Sequence, residues 1–197
     1  MRTTLAFAVA ASLALGCGSA TTQGARETAP AETKSAAPEL LGGLGSHHRA
    51  ITTTSPVAQR YFDQGLALVY GFNHDAAVRS FDYALAQDPA CAMCAWGKAV
   101  ALGPNINLPL GPDVAREAYA AAQQAKALAP GASPVEQQLI AAVAARYVES
   151  YSSDRANLDL AYANAMRQVR KSHPDDVDVA VLTAEALMNL YPWSYWT

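Results

Sequence analysis

Apolar side chains return at the same offsets three times along the chain: Ala77, Phe81 and Ala84; Ala118, Ala122 and Ala125; Tyr162, Met166 and Val169. Steps of four and three residues put each set on one face of an α-helix. A proline stands five residues after each set, at Pro89, Pro130 and Pro174. Proline ends a helix because it lacks an N–H and its ring clashes with the preceding turn. Helix starts are marked as well. Ser55-Pro56 and Ser133-Pro134-Val135-Glu136 place serine before a proline at the first helical position, the second as a full capping box. These signals predict seven helices, at about 56–70, 74–87, 91–102, 112–128, 134–149, 154–171 and 175–190. The Ala-rich run Leu139 to Ala145 and Trp96 read as core.

The first pair of helices carries more than periodicity. Tyr61-x2-Gln64-Gly65-x2-Leu68, followed by Ala77-x3-Phe81-x2-Ala84-x4-Pro89, resembles the tetratricopeptide repeat. Gly65 and Ala77 are small where two helices cross, and Phe81 fills the gap between pairs. The resemblance implies a right-handed solenoid of antiparallel helix pairs that works by binding a protein or peptide. The three prolines lie 41 and 44 residues apart, against about 34 for the standard unit, so the later units carry longer helices or loops. Residues 47 to 197, with Gly71-Phe-Asn-His-Asp75, Asp88-Pro-Ala-Cys-Ala-Met-Cys-Ala-Trp-Gly97 and Gly103-Pro-Asn-Ile-Asn107, resemble a group of bacterial tetratricopeptide proteins of unassigned biochemical role. That group looks longer. An odd seventh helix, and an aromatic ending at Tyr191 to Thr197 where a solenoid carries a polar cap, agree with a partial chain.

Composition fits this picture. Apolar residues make up 51%, much of it alanine, and β-branched residues are sparse outside short runs, which favours an all-α class packed through small side chains. The first 50 residues stand apart. Arg2, the apolar stretch Leu5 to Leu15 and the small residues Gly16, Cys17 and Gly18 read as a signal peptide over 1–17. A cysteine after Leu-Gly resembles the lipobox of bacterial lipoproteins, which implies lipidation at Cys17 and a membrane anchor. Gly18 rather than aspartate after it implies the periplasmic face of the outer membrane. Ala14 stands where the lipobox has leucine, so plain secretion into the periplasm or medium stays open. Residues 18–50, rich in Ala, Thr, Pro, Gly and Ser, read as a flexible tether, and 51–197 as the tetratricopeptide-like domain.

Net charge is −3 with scattered basic residues, so nothing lines up to neutralise a phosphate backbone and nucleic acid is not an expected partner. Motifs for serine hydrolysis, zinc peptidases, P-loops and dinucleotide binding do not occur, and neither catalytic residues nor cofactors are expected. In a stack of helix pairs, the turns within pairs share one edge. Phe72, Asn73, His74, the nine-residue stretch Gly103 to Gly111 with Asn105 and Asn107, Ser150 to Ser153, and Tyr191 to Trp196 fall there. Asn73, His74, Asn105 and Asn107 are the candidate binding edge, although Asn73 and Asn105 also suit helix caps and His74 a turn.

Cys91 and Cys94 stand three apart at a helix start. They read as a structural disulfide, packed small residues, a redox pair or metal ligands, with His47 and His48 one helix pair away. The expected function is therefore an exported scaffold binding a protein or peptide in the cell envelope. The alternatives are a metal- or redox-dependent enzyme or carrier using Cys91 and Cys94, and a structural envelope spacer.

Overall fold

A computed structural model describes residues 37–196. The signal peptide, Cys17 and the first part of the expected tether lie outside the described residues. Among the described residues seven α-helices follow one another: α1 Pro56–Tyr70, α2 His74–Gln87, α3 Ala92–Ala101, α4 Pro112–Leu128, α5 Pro134–Ala144, α6 Ala156–Ser172 and α7 Val177–Met188, with a 3-10 turn at Ala129–Gly131. The described residues contain no strand, only an isolated bridge between Asn105 and Leu108. None of their helices is long and apolar enough to cross a membrane.

Each helix packs on the next, and α3 also packs on α1 and α5. The sequence of α3 explains its central place. Lys98 apart, it is apolar all round, nine of its ten residues are buried, and such a helix is stable only when surrounded. Trp96 reaches from it to donate an N–H to Leu139 O of α5 at 3.2 Å. The Phe81 ring of α2 lies between two glycines: a Cβ on Gly65 of α1 would come within 2.6 Å of the ring, and one on Gly97 of α3 within 2.3 Å. Phe62 closes the same space, with ring centroids 5.7 Å apart. Further along, α4 presents Ala115, Ala118, Ala121, Ala122 and Ala125 as its buried face, small side chains that let neighbouring backbones approach.

The expected starts at Pro56, His74, Pro112 and Pro134 and the ends at Tyr70, Gln87 and Leu128 match the helices found, and the other starts and three further ends differ by one or two residues. One end differs by more. α5 stops at Ala144 rather than near 149, because Arg146 and Tyr147 turn inward together. The Tyr147 hydroxyl donates to Ala99 O at 2.6 Å, and the Arg146 guanidinium donates to Pro104 O at 2.7 Å. A continuing helix would carry these neighbours onto different faces.

Residues 37–50, read from composition as tether, are tied to the helices by hydrogen bonds at Pro38, Glu39, Leu41 and Arg49. The Tyr61 hydroxyl donates to Pro38 O at 2.8 Å, Leu41 N–H to Gln64 Oε1 at 2.8 Å and Gln64 Nε2 to Glu39 O at 3.0 Å. Arg49 donates to Asp176 at 2.9 Å and Asp178 at 3.1 Å, at the start of α7. Little apolar surface is buried here; helix side chains satisfy the polar groups instead, which composition does not reveal.

Glu136 completes the capping box of α5 and also accepts from Thr52 N–H at 2.7 Å and from the Thr52 hydroxyl. Burial alone would raise its pKa, but these bonds outweigh it and hold it below the ordinary 4.5. A carboxyl depressed in the folded state stabilises fully above its unfolded value, and the benefit disappears as pH falls through the folded value. Glu136→Gln is therefore expected to cost about 1–3 kcal/mol near neutrality. Urea unfolding repeated at decreasing pH checks the sign: the gap from wild type should narrow once pH drops below the ordinary value.

Candidate binding site

The turn between α1 and α2 forms one wall. Gly71 N–H bonds to Ala67 O and Asn73 N–H reaches back to Leu68 O, both at 2.9 Å, a closure that needs a left-handed residue between them. That residue is Phe72, with φ 56°, where glycine is the usual occupant and any other residue costs about 1–2 kcal/mol. The strained backbone holds the Phe72 ring 51% exposed and edge-on to His74, with centroids 5.9 Å apart. Phe72→Gly is expected to raise stability by about 0.5–1 kcal/mol, relief of the left-handed strain being partly offset by glycine's larger chain entropy. Thermal unfolding reads this directly; a fall in Tm would mean that the ring's contacts outweigh the strain.

The loop after α3 forms a second wall. Asn105 Oδ1 accepts from Asn107 N–H at 2.9 Å and Leu108 N–H at 3.1 Å, which fixes the amide and leaves Nδ2 facing His74 Nε2 at 3.2 Å. Nε2 therefore accepts, and the neutral ring carries its proton on Nδ1, a buried atom without a partner. Burial lowers the His74 pKa, against the pull of Asp75. The bond from Asn105 acts in the same direction as burial, since it needs Nε2 unprotonated.

The third wall comes from α7, whose start meets the end of α1 where the Tyr70 hydroxyl donates to Asp178 at 2.7 Å. Burial and the Asp178 carboxylate both push that phenol far above its ordinary value. Between these walls lies a cavity of about 170 Å³. Val69, Tyr70 and Phe72 line it from the first side, Val100, Pro104 and Asn105 from the second, Val181, Leu182 and Glu185 from the third, with His74 at the junction.

Glu185 is also 3.7 Å from the buried guanidinium of Arg146 and accepts from Asn189. Its pKa is raised because burial outweighs the neighbouring cation. Arg146 lies over the Tyr162 ring, 4.6 Å from the centroid, and 3.7 Å from Asp159.

No protein-family model, curated protein or solved structure matches this chain. The site rests on its own geometry.

Of the residues singled out from sequence, His74, Asn105 and Phe72 meet at the cavity. Asn73 and Asn107 are exposed outside its lining. Asn73 precedes α2 without a side-chain capping bond, and Asn107 contributes a backbone N–H to the turn. Ser150 to Ser153 and Tyr191 to Trp196 do not line it. Tyr70, Val181, Leu182 and Glu185 carried no local signal, because they become neighbours only when α7 meets α1.

Cys91 and Cys94 are joined by a disulfide, fully buried with Ala58, Tyr61 and Ala84. His47 and His48 turn to other partners, Asp178 at 2.9 Å and Asp63 at 2.7 Å. Among the described residues no group of three His, Cys, Asp or Glu is placed to hold a metal ion.

Proposed function

We propose that this chain is an exported, tetratricopeptide-type scaffold that binds a protein or peptide partner in the cell envelope, with the cavity between the α1–α2 turn, the 103–111 loop and α7 as the contact site. The observation that carries this reading is the cavity itself: largely apolar, concave, and equipped with a few converging polar groups, the usual form of a binding pocket. A strained, half-exposed Phe72 at that cavity supports it, since backbone strain gathers where a ligand is held.

The scaffold reading is supported by helices that pack on their sequence neighbours and by Phe81 wedged against Gly65 and Gly97. A right-handed solenoid of antiparallel pairs places these residues in that way. The Cys91–Cys94 disulfide supports export, because such bonds persist in oxidising compartments. Anchoring through Cys17, at the periplasmic face of the outer membrane, completes the proposal.

Val181→Trp tests the site. Val181 is 44% exposed, so an indole can occupy the cavity without entering the core. A partner captured from envelope extract by the full chain should lose roughly tenfold or more in affinity to this variant at unchanged Tm. A partner held equally by both would remove the cavity from the interface.

A further inference from the structure

The cavity's size, charge and spare hydrogen bonds narrow what it can take. At about 170 Å³ it is comparable to a cavity of about 150 Å³ that accommodates benzene. Rings of Tyr70, Phe72 and His74 contribute to its wall, and an aromatic guest gains from edge-to-face and offset contacts with such rings beyond the area it buries. Glu185, the one carboxylate among the lining residues, already has the Arg146 guanidinium at 3.7 Å and an Asn189 donor. The site therefore offers no unbalanced charge to a cationic or anionic guest.

What remains is donors. The amide nitrogen of Asn105 carries two hydrogens and spends one on His74 Nε2. Its orientation is fixed by the two backbone N–H groups on Oδ1, so the second hydrogen is available at the half-buried edge of the cavity. A guest that fits carries an uncharged ring with an acceptor close by.

We propose that the cavity receives the side chain of one uncharged aromatic residue of a peptide partner, with the adjacent carbonyl oxygen accepting from Asn105 Nδ2. This rests on the binding reading above and adds to it the class of the anchoring residue.

The test titrates the full chain with three probes by NMR: N-acetyl-phenylalaninamide, N-acetyl-alaninamide and toluene. Wild type should bind the phenylalanine probe and toluene saturably, with shifts confined to residues around the cavity, and should not bind the alanine probe. Asn105→Asp keeps the oxygen that accepts from Asn107 and Leu108 but removes the donor. It is expected to weaken the phenylalanine probe by roughly threefold to tenfold more than it weakens toluene, the worth of one hydrogen bond. Val181→Trp should abolish both.

Equal losses of the phenylalanine probe and toluene in Asn105→Asp, or no loss of either, would overturn the carbonyl contact. Equal binding of the alanine and phenylalanine probes would overturn the aromatic anchor. Toluene unbound by wild type would remove the cavity as a site altogether, and with it the broader reading. Should Asn105→Asp fail to fold, the wild-type comparison decides: the phenylalanine probe must bind more tightly than toluene by a similar factor.

Discussion

Phe81→Ala is expected to cost about 3–5 kcal/mol in urea or thermal unfolding, the usual range for removing a fully buried aromatic ring. Phe81 is completely buried, and its ring occupies the space between α1 and α3 that Gly65 and Gly97 leave open. The glycines offer the reciprocal experiment. Alanine at position 97 gains about 1 kcal/mol of helix propensity, but its Cβ would sit 2.3 Å from the Phe81 ring, and overpacking of this kind costs about 1–3 kcal/mol. The ring has no easy retreat, because Gly65 and Phe62 bound it elsewhere. Gly97→Ala should therefore be net destabilising, and Phe81→Leu in the same chain should recover part of the loss. Strict additivity of the two changes would mean that ring and glycine do not share the space.

Arg146→Met is expected to cost about 3–5 kcal/mol, as removal of one member of a buried ionic group does. Arg146 is 1% exposed and ties three parts of the chain together. It donates to Pro104 O at 2.7 Å, approaches Glu185 and Asp159 at 3.7 Å, and covers the Tyr162 ring. Without it Glu185 keeps its burial and loses its cation, so its already raised pKa moves further up. The sign follows. A carboxyl whose folded pKa lies above its unfolded value destabilises increasingly as pH rises past the unfolded value, so the variant's penalty should shrink on acidification. Arg146→Met combined with Glu185→Gln should recover part of the stability at neutral pH; a double variant no better than the single one would show that the arginine acts through Pro104 and Tyr162 alone. Pro104 and Glu185 also line the cavity, so the single variant should lose ligand as well as stability.

Sequence and structure agree most closely where the signal is local. Ser55 and Ser133 cap the helices they were read to start, through bonds to residues within three positions. Sequence and structure part where distant residues compete with a local pattern. The Ala-rich run into Arg146 has continuing helical periodicity, yet Pro104 and Ala99, more than forty positions away, supply better partners for Arg146 and Tyr147 than another turn would. Residues 37–50 lack the apolar content of a folded segment, but Asp63, Gln64 and Asp176 hold their polar groups. For the site, His74 and Asn105 were visible as polar groups in a turn and a Gly/Pro loop. Glu185 was invisible because no local pattern in the sequence of its helix signals the cavity.

Across the described residues, the sequence by itself determined the all-α class, the number of helices and the positions of most of their ends, because caps, prolines and helical periodicity act within a few residues and need no partner elsewhere. Only the tertiary structure decided that α7 meets the end of α1 through Tyr70 and Asp178, and so that Val181, Leu182 and Glu185 close a cavity begun by Phe72 and Asn105. That closure depends on where six successive helix packings bring the chain, and each packing is set by side-chain volumes at contacts far apart in sequence.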